Sequence, residues 1–184
     1  MNILETLTRI TVSFLQEGVD FALIGGLALQ AQGVTRATTD VDALILVQDK
    51  EKVRNIMTRS GFSVFYESAD VMTFMGVATQ SVRVDFLLAH RPYALAMLKR
   101  AEPKRFLDGS PIKVLRPADL IGLKVQAMAN DPTRHDQDMA DIRSLIRVHG
   151  VSLDWPLIRE YFSLFQAEPD LERLLKEEGL APHP

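Results

Sequence analysis

Asp40-Val41-Asp42-Ala43-Leu44-Ile45-Leu46-Val47, entered from the polar connection Thr35-Arg36-Ala37-Thr38-Thr39, decides the reading of this chain. An apolar run that follows a polar connection reads as a buried strand. Side chains on a strand alternate between faces, so Asp40 and Asp42 point the same way while Val41 turns into the core. Two carboxylates on one face are oxygen donors for a hard divalent cation such as Mg²⁺, which takes one or two carboxylates together with substrate phosphates. Upstream, Phe21-Ala22-Leu23-Ile24 reads as a short buried strand that stops at Gly25-Gly26. A glycine pair opening a helix is a place where phosphates can lie. Together these features point to metal-dependent chemistry on a nucleotide.

Outward from this centre the pattern alternates between strand and helix. Ile3, Leu4, Leu7, Ile10, Phe14 and Leu15 recur at helical spacing up to Gly18, and a second helix is expected over residues 27–32, closed by Gly33. A third opens at Gln48-Asp49-Lys50 and runs to about Ser60, ending at Gly61. Strand-like segments follow at residues 62–67, 71–77 and 81–88. In the last, Val82, Val84 and Phe86 alternate with Arg83, Asp85 and Leu87, which puts Asp85 on the face away from the three apolar residues. After Pro92 a helix runs to about Lys99, then a short hairpin with Asp108-Gly109 at its tip. From Pro117 the pattern is helical, over 118–130, 134–148, 155–165 and 171–178, and the tail from Ala181 is expected to fray. Strands in the first two thirds and helices in the last predict an α+β protein with a C-terminal helical part, divided as a core at residues 1–115 and a helical region at 116–184 packed on it.

Composition narrows the classes. With 184 residues, 47% of them hydrophobic, the chain is long enough for one domain with a real core and a small helical appendage. The absence of cysteine excludes disulfides, thiolate zinc sites and cysteine nucleophiles. The four histidines, His90, His135, His149 and His183, form no close pair at helical ligand spacing, so zinc chemistry is not expected. A net charge of −3, from 21 Lys plus Arg against 24 Asp plus Glu, gives no global attraction for a nucleic-acid backbone. The basic groups Lys99, Arg100, Lys104, Arg105 and Arg143, Arg147 read first as solvated surface. No apolar run approaches the roughly 20 residues that span a bilayer, and Met1-Asn-Ile-Leu-Glu-Thr6 lacks the pattern of a secretion signal. A cytoplasmic protein with no membrane partner is expected.

If the strand carrying Asp85 pairs beside the one carrying Asp40 and Asp42, three carboxylates meet at one end of a sheet. That set suits a two-metal centre for in-line phosphoryl or nucleotidyl displacement, in which metals stabilise the attacking and leaving oxygens. Such chemistry needs mainly positioning and charge stabilisation.

Ile24-Gly25-Gly26, Arg36-Ala-Thr-Thr-Asp40-Val-Asp42 and Val84-Asp85-Phe86 together resemble the motif set of the DNA polymerase β-like nucleotidyltransferase superfamily. With Lys124-Val-Gln-Ala-Met-Ala-Asn130, Arg134, Asp138 and Asp141 downstream, the wider pattern resembles the AbiEii-type abortive-infection toxins, the toxin halves of type IV toxin–antitoxin systems. The likeness covers about residues 20–146. It implies a mixed β-sheet flanked by helices, an NTP as substrate, and Mg²⁺ bound by Asp40, Asp42 and Asp85, with Asp85 completing the catalytic set. Gly25, Gly26, Arg36 and Lys124 would contact the nucleotide, and Asp138 or Asp141 would order the site, with Arg134 on the same helix face. The implied acceptor is an RNA end or a protein side chain, and the implied partner a cognate antitoxin. The superfamily often has serine after the first glycine; Gly26 offers only its backbone amide.

Two other classes fit the same residues. One is a non-catalytic antitoxin or regulatory module on this scaffold, against which stands the retention of all three aspartates. The other is a small-molecule nucleotidyltransferase that modifies antibiotics; an aminoglycoside acceptor calls for an acidic pocket, whereas an RNA acceptor calls for a basic rim. Arg134 with Asp138 also reads as an ordinary i,i+4 pair, and Trp155, Tyr161, Phe162 and Phe165 read as helix packing rather than a base-stacking platform.

Overall fold

A computed structural model describes residues 2–77, 82–106 and 111–180. In chain order its elements are α1 (Ile3–Gln16), β1 (Phe21–Leu23), α2 (Gly25–Ala31), β2 (Asp40–Leu46), α3 (Lys50–Arg59), β3 (Phe62–Glu67), β4 (Val71–Gly76), β5 (Arg83–Ala89), α4 (Pro92–Arg100), β6 (Glu102–Arg105), β7 (Pro111–Val114), α5 (Pro117–Asn130), α6 (His135–His149), α7 (Trp155–Leu164) and α8 (Glu168–Glu177). The expected turn at Asp108-Gly109, the first residue of the segment 81–88, His183 and the tail from Ala181 lie outside the described residues. Two elements begin earlier than their patterns predict. The first helical turn of α2 takes in the glycine pair itself. Pro169 sits in the first turn of α8, where its missing N–H costs nothing, so that helix starts at Glu168 instead of Leu171.

The chain divides into two compact units, Met1–Ala31 with Thr35–Leu115, and Gln32–Val34 with Arg116–Pro184. The first is built on a seven-stranded mixed sheet in the order β3-β4-β5-β2-β1-β7-β6, flanked by helices, so the α+β class holds. β2 pairs in parallel with β5 and β1 with β7, and the remaining neighbours are antiparallel. One face is apolar because the strands alternate: Val41, Ala43 and Ile45 on β2 and Val84 and Phe86 on β5 are all buried there. Helix α1 supplies the cover. Its N-terminus is fixed by a capping box in which Asn2 Oδ1 accepts from the Glu5 amide at 2.9 Å and Glu5 Oε2 accepts from the Asn2 amide at 3.0 Å. Its fully buried Phe14 meets Phe21 edge-on at 5.2 Å between ring centroids and Phe86 at 5.7 Å, and Phe86 in turn meets Phe74 at 5.8 Å. The opposite face carries Asp40, Asp42 and Asp85.

In the second unit α5 packs against α6 and α7, and α7 against α8. Trp155, Tyr161 and Phe162 are buried there, with Tyr161 Oη donating 2.7 Å to the buried carboxylate of Asp119, so these aromatics serve packing. Arg143 and Arg147 are both paired to Glu178, which accounts for that basic group. Among the described residues no helix is long and apolar enough to cross a membrane.

Two measurements check this account. Phe14→Ala is expected to lower the unfolding free energy by about 3–5 kcal/mol, the usual cost of emptying a buried phenylalanine site, as read by urea denaturation. His135 Nδ1 lies 3.3 Å from Asp136 and its Nε2 3.3 Å from Asp170. The hydrogen bond to Asp136 chiefly, opposed by burial and then helped by Asp170, raises its pKa above 6.5. A raised folded-state pKa gives stability that is fully present below the unfolded value and lost as pH rises through the folded one. The urea midpoint is therefore expected to fall as pH is raised above 6.5, and His135→Gln to flatten that fall.

Candidate active site

The site begins with register. β2 and β5 run side by side with Asp40 opposite Arg83, Val41 opposite Val84 and Asp42 opposite Asp85. Neighbours in register point to the same face, so Asp40, Asp42 and Asp85 share the face opposite the Phe14 core, with Arg83 among them. All three carboxylates are partly exposed, while the residues between them are buried.

Each carboxylate has a definite setting. Asp85 Oδ1 accepts from Thr73 Oγ1 at 2.5 Å, and Asp85 Oδ2 lies 2.7 Å from Arg83 Nε. Thr73, on β4 directly opposite Asp85, is 2% exposed. Asp40 Oδ1 accepts from Thr39 Oγ1 at 3.1 Å, and Thr38 Oγ1 lies near the Asp40 backbone at the start of β2. Asp42 closes on the glycine pair. A Cβ on Gly25 would lie 2.0 Å from Asp42 Oδ2, and the φ of +62° there also favours glycine. A Cβ on Gly26 would lie 2.5 Å from Thr38 Cβ. No side chain fits at either position, which explains why the serine of the wider motif is missing. Arg36 lies half-buried in the connection before β2, its Nη1 donating 2.9 Å to Ala37 O and its own carbonyl accepting from Gln30 Nε2 at 2.5 Å.

The donor set is the kind a hard cation takes, carboxylate oxygens on one strand face. Among the described residues, however, no group of three or more His, Cys, Asp or Glu side chains is gathered as a metal cage, and Asp85 is engaged by Thr73 and Arg83. Asp40 and Asp42 share one strand face, and Asp85 stands beside them on β5 with the Arg83 side chain on it.

The second unit holds the other predicted residues. Lys124 Nζ donates to Asp138 Oδ1 at 2.8 Å and Asp141 Oδ2 at 2.7 Å, while Arg134 Nε donates to Asp138 Oδ2 at 3.1 Å. Asp138 and Asp141 are both buried, so both aspartates, not one of the two, hold the lysine. Lys104 and Arg105 lie on β6, three strands from β2 at the end of the sheet away from Asp85. Sequence reading missed Thr73 and the pairing of Arg83. The i,i+2 spacing of Arg83 and Asp85 on one strand was a visible signal for the second, whereas Thr73 needed the register of β4.

Residues 3–177 match the model of a family described as nucleotidyl transferase of unknown function (DUF2204). No curated protein matches this chain in sequence. Among solved structures, the fold is similar to the antibiotic-resistance factor ANT(2″)-Ia, with a TM-score of 0.69 at 14% identity over 94% of this chain and 99% of that one. It is also similar to an antigenic nucleotidyltransferase-like protein from Paracoccidioides brasiliensis, TM-score 0.57 at 20% identity over 92% and 91% of the two chains. A third likeness is to the lincosamide antibiotic adenylyltransferase LnuA, TM-score 0.54 at 13% identity over 78% and 96%.

Removing one partner from a buried ion cluster leaves the others uncompensated. Lys124→Met is expected to destabilise the protein by about 3–5 kcal/mol in urea denaturation, and Lys124→Met combined with Asp138→Asn and Asp141→Asn to recover most of that loss.

Proposed function

The chain belongs to the DUF2204 nucleotidyl transferase family, and from that premise we propose that it moves a nucleoside monophosphate from an NTP to an acceptor hydroxyl at the sheet face carrying Asp40, Asp42 and Asp85. The observation that carries this reading is the register that puts Asp42 opposite Asp85 with the Gly25 backbone closed against Asp42. Gly25 and Gly26 present backbone without side chains, against which a triphosphate can lie, and Arg36 adds positive charge nearby. Asp40 and Asp42 would hold Mg²⁺, which when bound supplies charge stabilisation to the phosphates. Asp85, steered by Thr73 and Arg83, takes the proton of the acceptor hydroxyl. The hydroxyl oxygen bonds to the α-phosphorus as the bond from that phosphorus to the bridging oxygen breaks, and pyrophosphate leaves with the electron pair.

The finer reading is that of an AbiEii-like toxin, with an RNA end or a protein side chain as acceptor and an antitoxin as partner. Its support is the motif pattern from Gly25 to Asp141. Induced expression is then expected to arrest growth, and the product of the adjacent reading frame to relieve it. A second reading, transfer to a small antibiotic, is favoured by the likeness to ANT(2″)-Ia and LnuA.

Asp40→Asn and Asp42→Asn are each expected to lower NTP-dependent labelling of the acceptor by about a hundredfold or more, with folding retained, and EDTA to do the same to the unaltered protein. Unchanged labelling would overturn the assignment. Absence of Mg²⁺-dependent NTP binding in calorimetry would favour a non-catalytic scaffold instead.

A further inference from the structure

The strand register extends the carboxylate face beyond the three aspartates. Asp42 is opposite Asp85, Asp85 opposite Thr73 on β4, and Thr73 opposite Tyr66 on β3. A second row runs beside it: Asp40, Arg83, Met75 and Ser63. Directly opposed residues share a face, so Tyr66 stands on the face of the carboxylates, two strands or about 10 Å beyond Asp85. It does so because the register shifts between Val64 and Tyr66. Without that bulge Phe65 would be opposite Thr73 and Tyr66 would turn to the core face. Tyr66 is 56% exposed, on a strand that ends the sheet among the described residues.

The proposed transfer has two sides. Gly25 and Gly26, which follow β1, are on the far side of β2 from β5. The nucleotide therefore lies towards β1, and an acceptor whose hydroxyl reaches Asp85 comes from the β4–β3 side. Exposed or partly exposed there are Tyr66, Met75, Ser63 and Arg83, and none is acidic. The nearest carboxylates are committed elsewhere: Glu67 lies on the other face, 2.6 Å from both Lys50 and Arg54, and Asp70 pairs with His90 at 2.6 Å and Arg91 at 3.3 Å.

We propose that Tyr66 is an acceptor-binding residue, stacking on a planar ring that the acceptor carries next to its reacting hydroxyl, and that this acceptor is neutral or anionic. The inference rests on the transfer reading above and names its acceptor class. A nucleoside has this chemistry, either free or at the end of an RNA chain. A polycationic aminoglycoside does not, having neither a flat ring for Tyr66 nor, beyond Asp85 itself, carboxylates to meet its amines on the β4–β3 side.

The test uses the full-length protein with Mg²⁺, each of the four α-labelled NTPs, and three acceptors in separate reactions: a single-stranded oligoribonucleotide, adenosine, and tobramycin. Labelling of the oligoribonucleotide or of adenosine is expected, and which one is labelled tells the polymer from the free nucleoside. Tyr66→Leu is expected to raise the acceptor KM about tenfold, the size of one lost base–aromatic stack, with kcat and the NTP KM within about twofold. Tyr66→Phe keeps the ring and is expected to restore the acceptor KM. Tobramycin labelled in preference to the other two, or an acceptor KM unmoved by Tyr66→Leu, overturns the proposal. Fluorescence anisotropy of a labelled oligoribonucleotide, with adenosine as competitor, reads the same stack without turnover. No binding of either probe, or equal binding by the unaltered protein and Tyr66→Leu, also overturns it. Asp40→Asn separates the two readings: if it leaves labelling intact the transfer site itself is wrong, and if it abolishes labelling while Tyr66→Leu changes nothing, only the acceptor inference falls.

Discussion

Parallel pairing of β2 with β5 brings Asp42 beside Asp85, and adjacent like charges on a partly buried face repel. Most of what surrounds the site answers that repulsion. Arg83 bonds Asp85 from within the same strand, Thr73 donates to it from the next, and Thr39 donates to Asp40. The apolar side of the same strands, closed by Phe14 and its aromatic neighbours, keeps the register from slipping, since a one-residue shift would carry the buried side chains to the wrong face. Core packing thus holds together a set of charges that would otherwise separate.

The two units use charge in opposite ways. In the second, Lys124, Arg134, Asp138 and Asp141 form a balanced quartet whose carboxylates are buried and hydrogen-bonded. Taking Lys124 away leaves the two buried carboxylates without the cation they share. On the sheet face of the first unit the carboxylates are partly open and their main cationic partner, Arg83, is half exposed. Charges held that way can exchange one partner for another at small cost.

What the sequence disclosed follows the reach of its patterns. Alternation along a strand is local, so the common face of Asp40 and Asp42 and the polar side of Asp85 were legible. The i,i+4 spacing of Arg134 and Asp138 was legible for the same reason. Pairing between strands is not written in either strand, and so Thr73, twelve residues before Asp85 in the chain, became visible as its partner only with the sheet assembled. The glycine pair was readable as the stop to β1, yet its closest neighbours, Asp42 and Thr38, come from a segment more than ten residues later. The shift of register in β3 left no composition signal at all, since Val64, Phe65 and Tyr66 are all good strand formers.

The order of the strands decides where the fold tolerates change. β2 and β5 are interior to the sheet, each paired on both sides, so a change in their backbone disturbs two neighbours at once. Among the described residues β3 is paired on one side, so a substitution or a single-residue insertion there disturbs one neighbour only. A change of sequence is therefore absorbed at this margin of the sheet more readily than in its middle.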